Sequence, residues 1–227
     1  MIRHSSMNIP SNLKKSESKF LERTRIALTN AASHAEIKAA LEKFGVDAAK
    51  FAEGWQVFDV AKTSWELNKK EESEKQLACN SYHATYSALE MRFRKHRDIA
   101  QIFCKKDPDT LIQLGVKGRF PTKYNEFFDK CKLFYTVVNT NADLQAKLAV
   151  IKLTPEVTVN SLAELDNLLV HRANYDKEMG ESQIATVSKN AALHDLREWM
   201  DDFDTLARVA LYDTPQHLEV LGIHVKS

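Results

Sequence analysis

Ten residues near the middle of the chain, DPDTLIQLGV (Asp107 to Val116), return near its end as TPQHLEVLGI (Thr214 to Ile223), with Pro, Leu, Leu and Gly in the same places. The displacement is 107 residues, and without a gap it also sets Phe20 on Phe127, Leu41 on Leu148, Leu89 on Leu196 and Ala100 on Ala207. The best-matched stretch is polar: Lys70, Glu71, Glu74, Gln76 and Ser81 recur as Lys177, Glu178, Glu181, Gln183 and Ser188. Self-similarity at one fixed period constrains the fold more than any local propensity, because both copies must solve the same packing problem. The chain therefore reads as a polar segment, 1–17, expected to be mobile, then repeat 1 over 18–117, a linker over 118–124 and repeat 2 over 125–227. Gly118 and Pro121 mark the break between the repeats.

Within each repeat the punctuation is that of helices. Ser33 with Glu36, and Thr140 with Asp143, have the spacing of a capping box opening a short helix. Gly45 closes the first of these, and Lys152 stands where the second repeat has no glycine. Asp47 and Thr154-Pro155 are start signals for a long helix; Asp107-Pro108 and Thr214-Pro215 open a short one that Gly115 and Gly222 end. With only 6 Gly and 5 Pro in 227 residues, many short strands are disfavoured and long helices favoured. Between Trp55 and Asp107 there is no Gly or Pro, which suits one continuous helix, but the middle of that stretch, NKKEESEK, has no apolar stripe and its counterpart contains Gly180. A cut near 72–76 gives arms of matched length, so the expected architecture is all-α, a tandem duplication of an up-down-up helical bundle unit. The alternative is two long continuous helices, each about 90 Å, with short flanking helices.

The apolar spacing also names a core. Leu89, Phe93, His96, Ala100 and Phe103 recur at steps of three and four, as do Leu196, Met200, Phe203, Ala207 and Ala210. Trp55, Phe58 and Trp65 sit at core spacing too and read as packing. His96 on this seam reads as a half-buried packing residue at the bundle rim.

Residue types for catalysis are not gathered in any recognisable pattern. The chain lacks a phosphate-cradling glycine loop, an H-E-x-x-H and a G-x-S-x-G, and it lacks the paired Glu-x-x-His of di-iron bundles. Its histidines do not recur between repeats: His34, His83 and His96 align with Asn141, Asn190 and Phe203, which excludes a duplicated metal site. Cys79, Cys104 and Cys131 are far apart and form no C-x-x-C, so reduced thiols are expected and the reading is cytoplasmic. No run of 18 apolar residues occurs, so no membrane span is expected. No catalytic residue, no metal ligand and no cofactor is assigned.

The charges are the informative feature. The stretch RFRKHR carries Arg92, Arg94, Lys95 and Arg97, and the displacement of 107 sets Arg94, Lys95 and Arg97 on Asp201, Asp202 and Asp204. Residues 18–117 hold 17 basic and 14 acidic side chains, and 125–224 hold 9 and 16, so a net charge of +1 conceals halves of +3 and −7. Three readings remain open: the opposite faces meet within one molecule, the basic half of one molecule meets the acidic half of the next, or the faces are solvated and drifted apart after duplication. A basic patch also suits nucleic acid, but Glu90 and Asp98 absorb part of it at i,i+4 spacing and the acidic half repels phosphate, so nucleic acid is disfavoured.

Two copies of a KE-x-x-E-x-Q segment, each followed by a P-x-x-L-x-x-LG-[VI] ending, resemble a set of uncharacterised duplicated helical proteins of bacteria. The resemblance spans almost the whole chain, implies the same helical build and carries no activity; Ser73 departs from it where repeat 2 has Gly180. The expected function is that of a non-enzymatic helical interaction or structural protein. Its expected partner is another protein, self-association included, through Arg92, Arg94, Lys95 and Arg97 on one face and Asp201, Asp202 and Asp204 on the other. The alternatives are a nucleic-acid-associated protein using Arg92 to Arg97, and an enzyme with a single unrecognised site in the bundle.

Overall fold

The computed structural model describes residues 11–225, with side chains from Ser16 onward; residues 1–10 of the segment expected to be mobile lie outside this range, and helix begins at Ser11. The order is α1 (Ser11–Ser33), α2 (Ala35–Glu42), α3 (Ala48–Phe103), α4 (Pro108–Gln113), α5 (Tyr124–Thr140), α6 (Ala142–Ala149), α7 (Pro155–Ala210) and α8 (Gln216–Val220). The chain is all-α over the described residues, and none of its helices is long and apolar enough to cross a membrane.

The expected up-down-up unit is corrected: α3 and α7 are single helices of 56 residues each, the arrangement of the alternative reading. No turn forms at 72–76, because Lys, Glu and Gln are good helix formers and the segment carries its own side-chain pairs, such as Gln76 to Asn80 at 2.9 Å. Gly180 lowers helix propensity by about 1 kcal/mol without breaking α7. The apolar stripe lapses there for another reason. The chain divides into two compact units, one made of residues 1–71 and 182–227 and the other of 72–181, and each long helix changes membership within this polar stretch. Unit 1 thus takes the first part of α3 and the last part of α7; unit 2 takes the remainder of both. The segment 118–124 lies inside unit 2.

Element bounds repeat at the sequence period. α2 and α6, and likewise α3 and α7, start and end 107 residues apart. Side-chain contacts repeat too. In unit 1 Asn68 donates to Thr186 at 2.9 Å and Lys189 grips Glu17 at 2.9 and 3.1 Å. The equivalent pairs in unit 2 are Tyr175 with Cys79, which interact, and Tyr82 with Tyr124, whose rings are 6.4 Å apart.

Each unit has one core. In unit 1, Leu28, Ile37, Leu41, Phe58, Leu196, Met200, Phe203 and Ala207 are buried together, with Trp55 and Trp65 partly buried against them. In unit 2, Leu89, Phe93 and Ala100 pack with Phe127, Phe134, Tyr135 and Leu148, and the Phe93 ring lies 5.7 to 5.9 Å from Phe134 and Phe127. At roughly 1.5–3 kcal/mol for each large apolar side chain fully buried, these seams dominate the stability of their units. Phe103 departs from its expected place: the last residue of α3 is 45% exposed.

The helix ends follow local chemistry with two corrections. Asp47 accepts from the Lys50 amide at 3.0 Å, and Asp107 from the Thr110 amide at 3.1 Å with Pro108 in the first turn, as their types dictate. The Ser33 capping box does not form; Ser33 ends α1, and His34 precedes α2 without a side-chain cap. In repeat 2 the cap is Asn141, which accepts from the Leu144 amide at 3.1 Å, and Thr140 ends α5. Gly45 has φ +84°, and Lys152, its equivalent, is held at φ +64°, a left-handed conformation that a side chain disfavours.

Candidate interaction surface

The basic stretch lies on the part of α3 that belongs to unit 2, and helical spacing sends its four charges in different directions. Arg92 reaches α7 and pairs with Glu164 at 2.5 Å. Arg94 pairs with Glu90 one turn back at 3.0 Å and lays its guanidinium 3.8 Å from the centre of the Phe120 ring. Arg97 is only 6% exposed; it donates to the Gly118 carbonyl and, at 3.2 Å, to the Asp98 carboxylate. Gln101 adds a bond to the Val116 carbonyl at 2.6 Å. Three arginine positions therefore anchor structure, two of them on the loop after α4, whose Phe120 packs 5.8 Å from Phe93 in the core. Of these four charges, Lys95 alone is exposed and has no ion pair among the described residues.

The acidic set behaves alike. Asp204, on the part of α7 in unit 1, pairs with Arg23 of α1, which also donates to the Gly222 carbonyl at 3.3 Å. Asp201 and Asp202 are exposed, and among the described residues neither side chain forms an ion pair. The residues so left, Lys95 facing Asp201 and Asp202 in type, stand at or next to equivalent positions of the two long helices.

The charge reversal between repeats looks different when counted by compact unit. The segments of unit 1 hold 16 basic and 16 acidic residues, and unit 2 holds 16 and 15. Because each unit draws on both repeats, halves of opposite sign assemble into two nearly neutral bodies.

No family model, curated protein or solved structure matches the chain.

Groups with displaced proton affinity sit in the packing. His96 is half-buried and shares a hydrogen bond of 2.9 Å with the Tyr135 hydroxyl; burial, reinforced by Arg92 and Lys95, brings its pKa down to about 4, so the ring is neutral. Burial likewise pushes Tyr135 and Cys131 well above their ordinary values. Cys79, Cys104 and Cys131 are free thiols, the last two buried. Half-buried Tyr82, Tyr86, Tyr124 and Tyr175 gather in unit 2, with the Arg172 guanidinium 3.9 Å from the Tyr124 ring centre.

What the charge pattern did not disclose is an apolar component on the same faces. Leu77, Met91 and Ile102 on α3 are 64, 69 and 72% exposed, and Ile184 and Val209 on α7 are 68 and 53% exposed. Leu77 is equivalent to Ile184, and Ile102 to Val209. The signal was present in the sequence as apolar residues off the core seam that recur between the repeats, Leu77 as Ile184 and Ile102 as Val209, but without a core assignment such residues are indistinguishable from buried ones.

Proposed function

We propose that the chain is a duplicated, non-enzymatic helical protein that binds other proteins through the outward faces of its two long helices. The observation that carries this reading is that equivalent positions in the two repeats, Leu77 with Ile184 and Ile102 with Val209, keep large apolar side chains facing water. Single exposed apolar residues need no explanation, but a recurring set on one helix face has the form of a docking seam. The charged residues support the reading as well. Arg92, Arg94 and Arg97 are engaged inside unit 2, which leaves Lys95 alone of the stretch to meet a phosphate backbone.

The test is the sedimentation of the protein in an extract of its source cells. Wild type is expected to travel in an assembly heavier than its own 25.9 kDa, and the double variant Ile102→Asp, Val209→Asp to travel as the monomer. A wild-type protein that sediments as a monomer in the extract would overturn the reading.

A further inference from the structure

Resting on that interaction reading, we infer that the partner is a second copy of this chain, the α3 face of one molecule docking on the α7 face of the next. On α3 the face comprises Leu77, Met91, Lys95 and Ile102, all in unit 2; on α7 it comprises Ile184, Asp202 and Val209, all in unit 1. With Ala84 counted, the α3 residues recur at steps of seven and four, the spacing of a seam between two helices laid side by side; on α7 Ile184, Ala191, Asp202 and Val209 stand at equivalent positions, and Glu198 takes that of Met91. Ala84 and Ala191 lie on the same faces, both exposed, and permit close approach there.

Charge selects the pairing. Lys95 is the one charge of the basic stretch without an ion pair among the described residues, and its equivalent on α7, Asp202, is likewise exposed and without one, as is Asp201 beside it. Two α3 faces would set Lys95 against Lys95, and two α7 faces would gather Asp201 and Asp202 from both copies. The mixed pair alone is complementary. Laid parallel and in equivalent register, it sets Lys95 against Asp202, Leu77 against Ile184 and Ile102 against Val209, with Met91 at the level of Glu198. The contact is heterologous: each molecule offers one face of each kind, so association continues beyond the dimer into a ring or a filament.

The experiment uses purified full-length protein, with sedimentation as the readout and far-UV circular dichroism to confirm that every variant remains helical. The altered positions are exposed, so their folds are expected to stand. Wild type should gain mass with concentration. Lys95→Asp or Asp202→Lys alone should weaken association about tenfold, through replacement of an attraction by a repulsion, and the two together should restore it. Ile102→Asp disables only the α3 face and Val209→Asp only the α7 face. Each should be monomeric alone, and an equimolar mixture should form a 1:1 dimer and stop there. Purified wild type that stays monomeric at all concentrations overturns the inference, as does a mixture in which the two face variants fail to pair. If the purified protein is monomeric while the extract shows a heavier assembly, the interaction reading stands and the partner is a different protein; a monomer in both removes both.

Discussion

Lys189 and Glu17 form a buried ion pair in unit 1 at the positions where unit 2 holds Tyr82 and Tyr124. The same niche is thus filled by charge in one unit and by two tilted aromatic rings in the other. Lys189 is 1% exposed on its side chain, so its ammonium is satisfied almost wholly by that carboxylate. Removing one member leaves an unpaired charge in a dry site. Glu17→Gln or Lys189→Met is expected to destabilise unit 1 by about 3–5 kcal/mol. The double replacement Lys189→Tyr, Glu17→Tyr, copying unit 2, should recover most of the loss, because well-packed uncharged groups of suitable volume commonly do as well as a buried pair. Urea denaturation of the two single variants and the double measures the coupling.

Lys152 holds a left-handed backbone where its equivalent is Gly45. The turn after α6 closes as the one after α2 does, with Leu153 N–H bonded to the Leu148 carbonyl at 3.3 Å and Val46 N–H to that of Leu41 at 3.1 Å. A side chain in this conformation costs about 1 kcal/mol or more. Lys152→Gly should therefore stabilise the protein by roughly 1 kcal/mol, less the backbone entropy that glycine adds to the unfolded chain. Gly45→Ala should shift the denaturation midpoint in the opposite direction.

His96 supplies a dependence on pH. Its folded pKa, near 4, lies below the ordinary value of 6.5. Between those values the unfolded chain binds a proton that the folded ring refuses, so the contribution is fully present above about pH 6.5 and is lost progressively as pH falls toward about 4. His96→Gln cannot titrate, although its amide can still bond the Tyr135 hydroxyl. Denaturation midpoints measured from about pH 7 down to about pH 4.5 should fall less steeply for the variant than for wild type; parallel curves would show that the ring does not resist protonation.

Much of the fold was legible because it is written in local chemistry. Asp47, Asp107-Pro108, Gly45 and Gly222 mark ends of elements by what their side chains and dihedrals permit, and the seam from Leu89 to Ala100 names its buried face by spacing alone. The Ser33 box failed because α1 runs on through Ser33 and leaves His34, without a side-chain cap, before α2; in repeat 2 α5 runs on through Thr140 and Asn141 caps α6. The hairpin failed for a nonlocal reason. Periodicity reports a helix only where a core exists to face, and residues 70–76 fall where α3 passes from one unit's segments to the other's, so an unbroken helix reads there as a gap. The charged residues lie on α3 and α7, but sequence could not separate those engaged internally, Arg92 on Glu164 and the buried Arg97 on the Gly118 carbonyl, from Lys95, which is exposed. That division depends on α7 and on the loop after α4, both remote in sequence.

The membership of the two units also sets an order of events on the ribosome. Unit 2 is one unbroken stretch, residues 72–181, and every segment it needs has been made once Glu181 emerges. Unit 1 must hold its first segment unfinished until Ser182 onward is synthesised, because Leu196, Met200 and Phe203 supply one side of the core against which Leu28, Ile37 and Phe58 close. At roughly 5–20 residues per second this leaves the earliest-made helices exposed for several seconds. The portion born first is the portion finished last, and a nascent chain stalled before its end would present those apolar faces to chaperones.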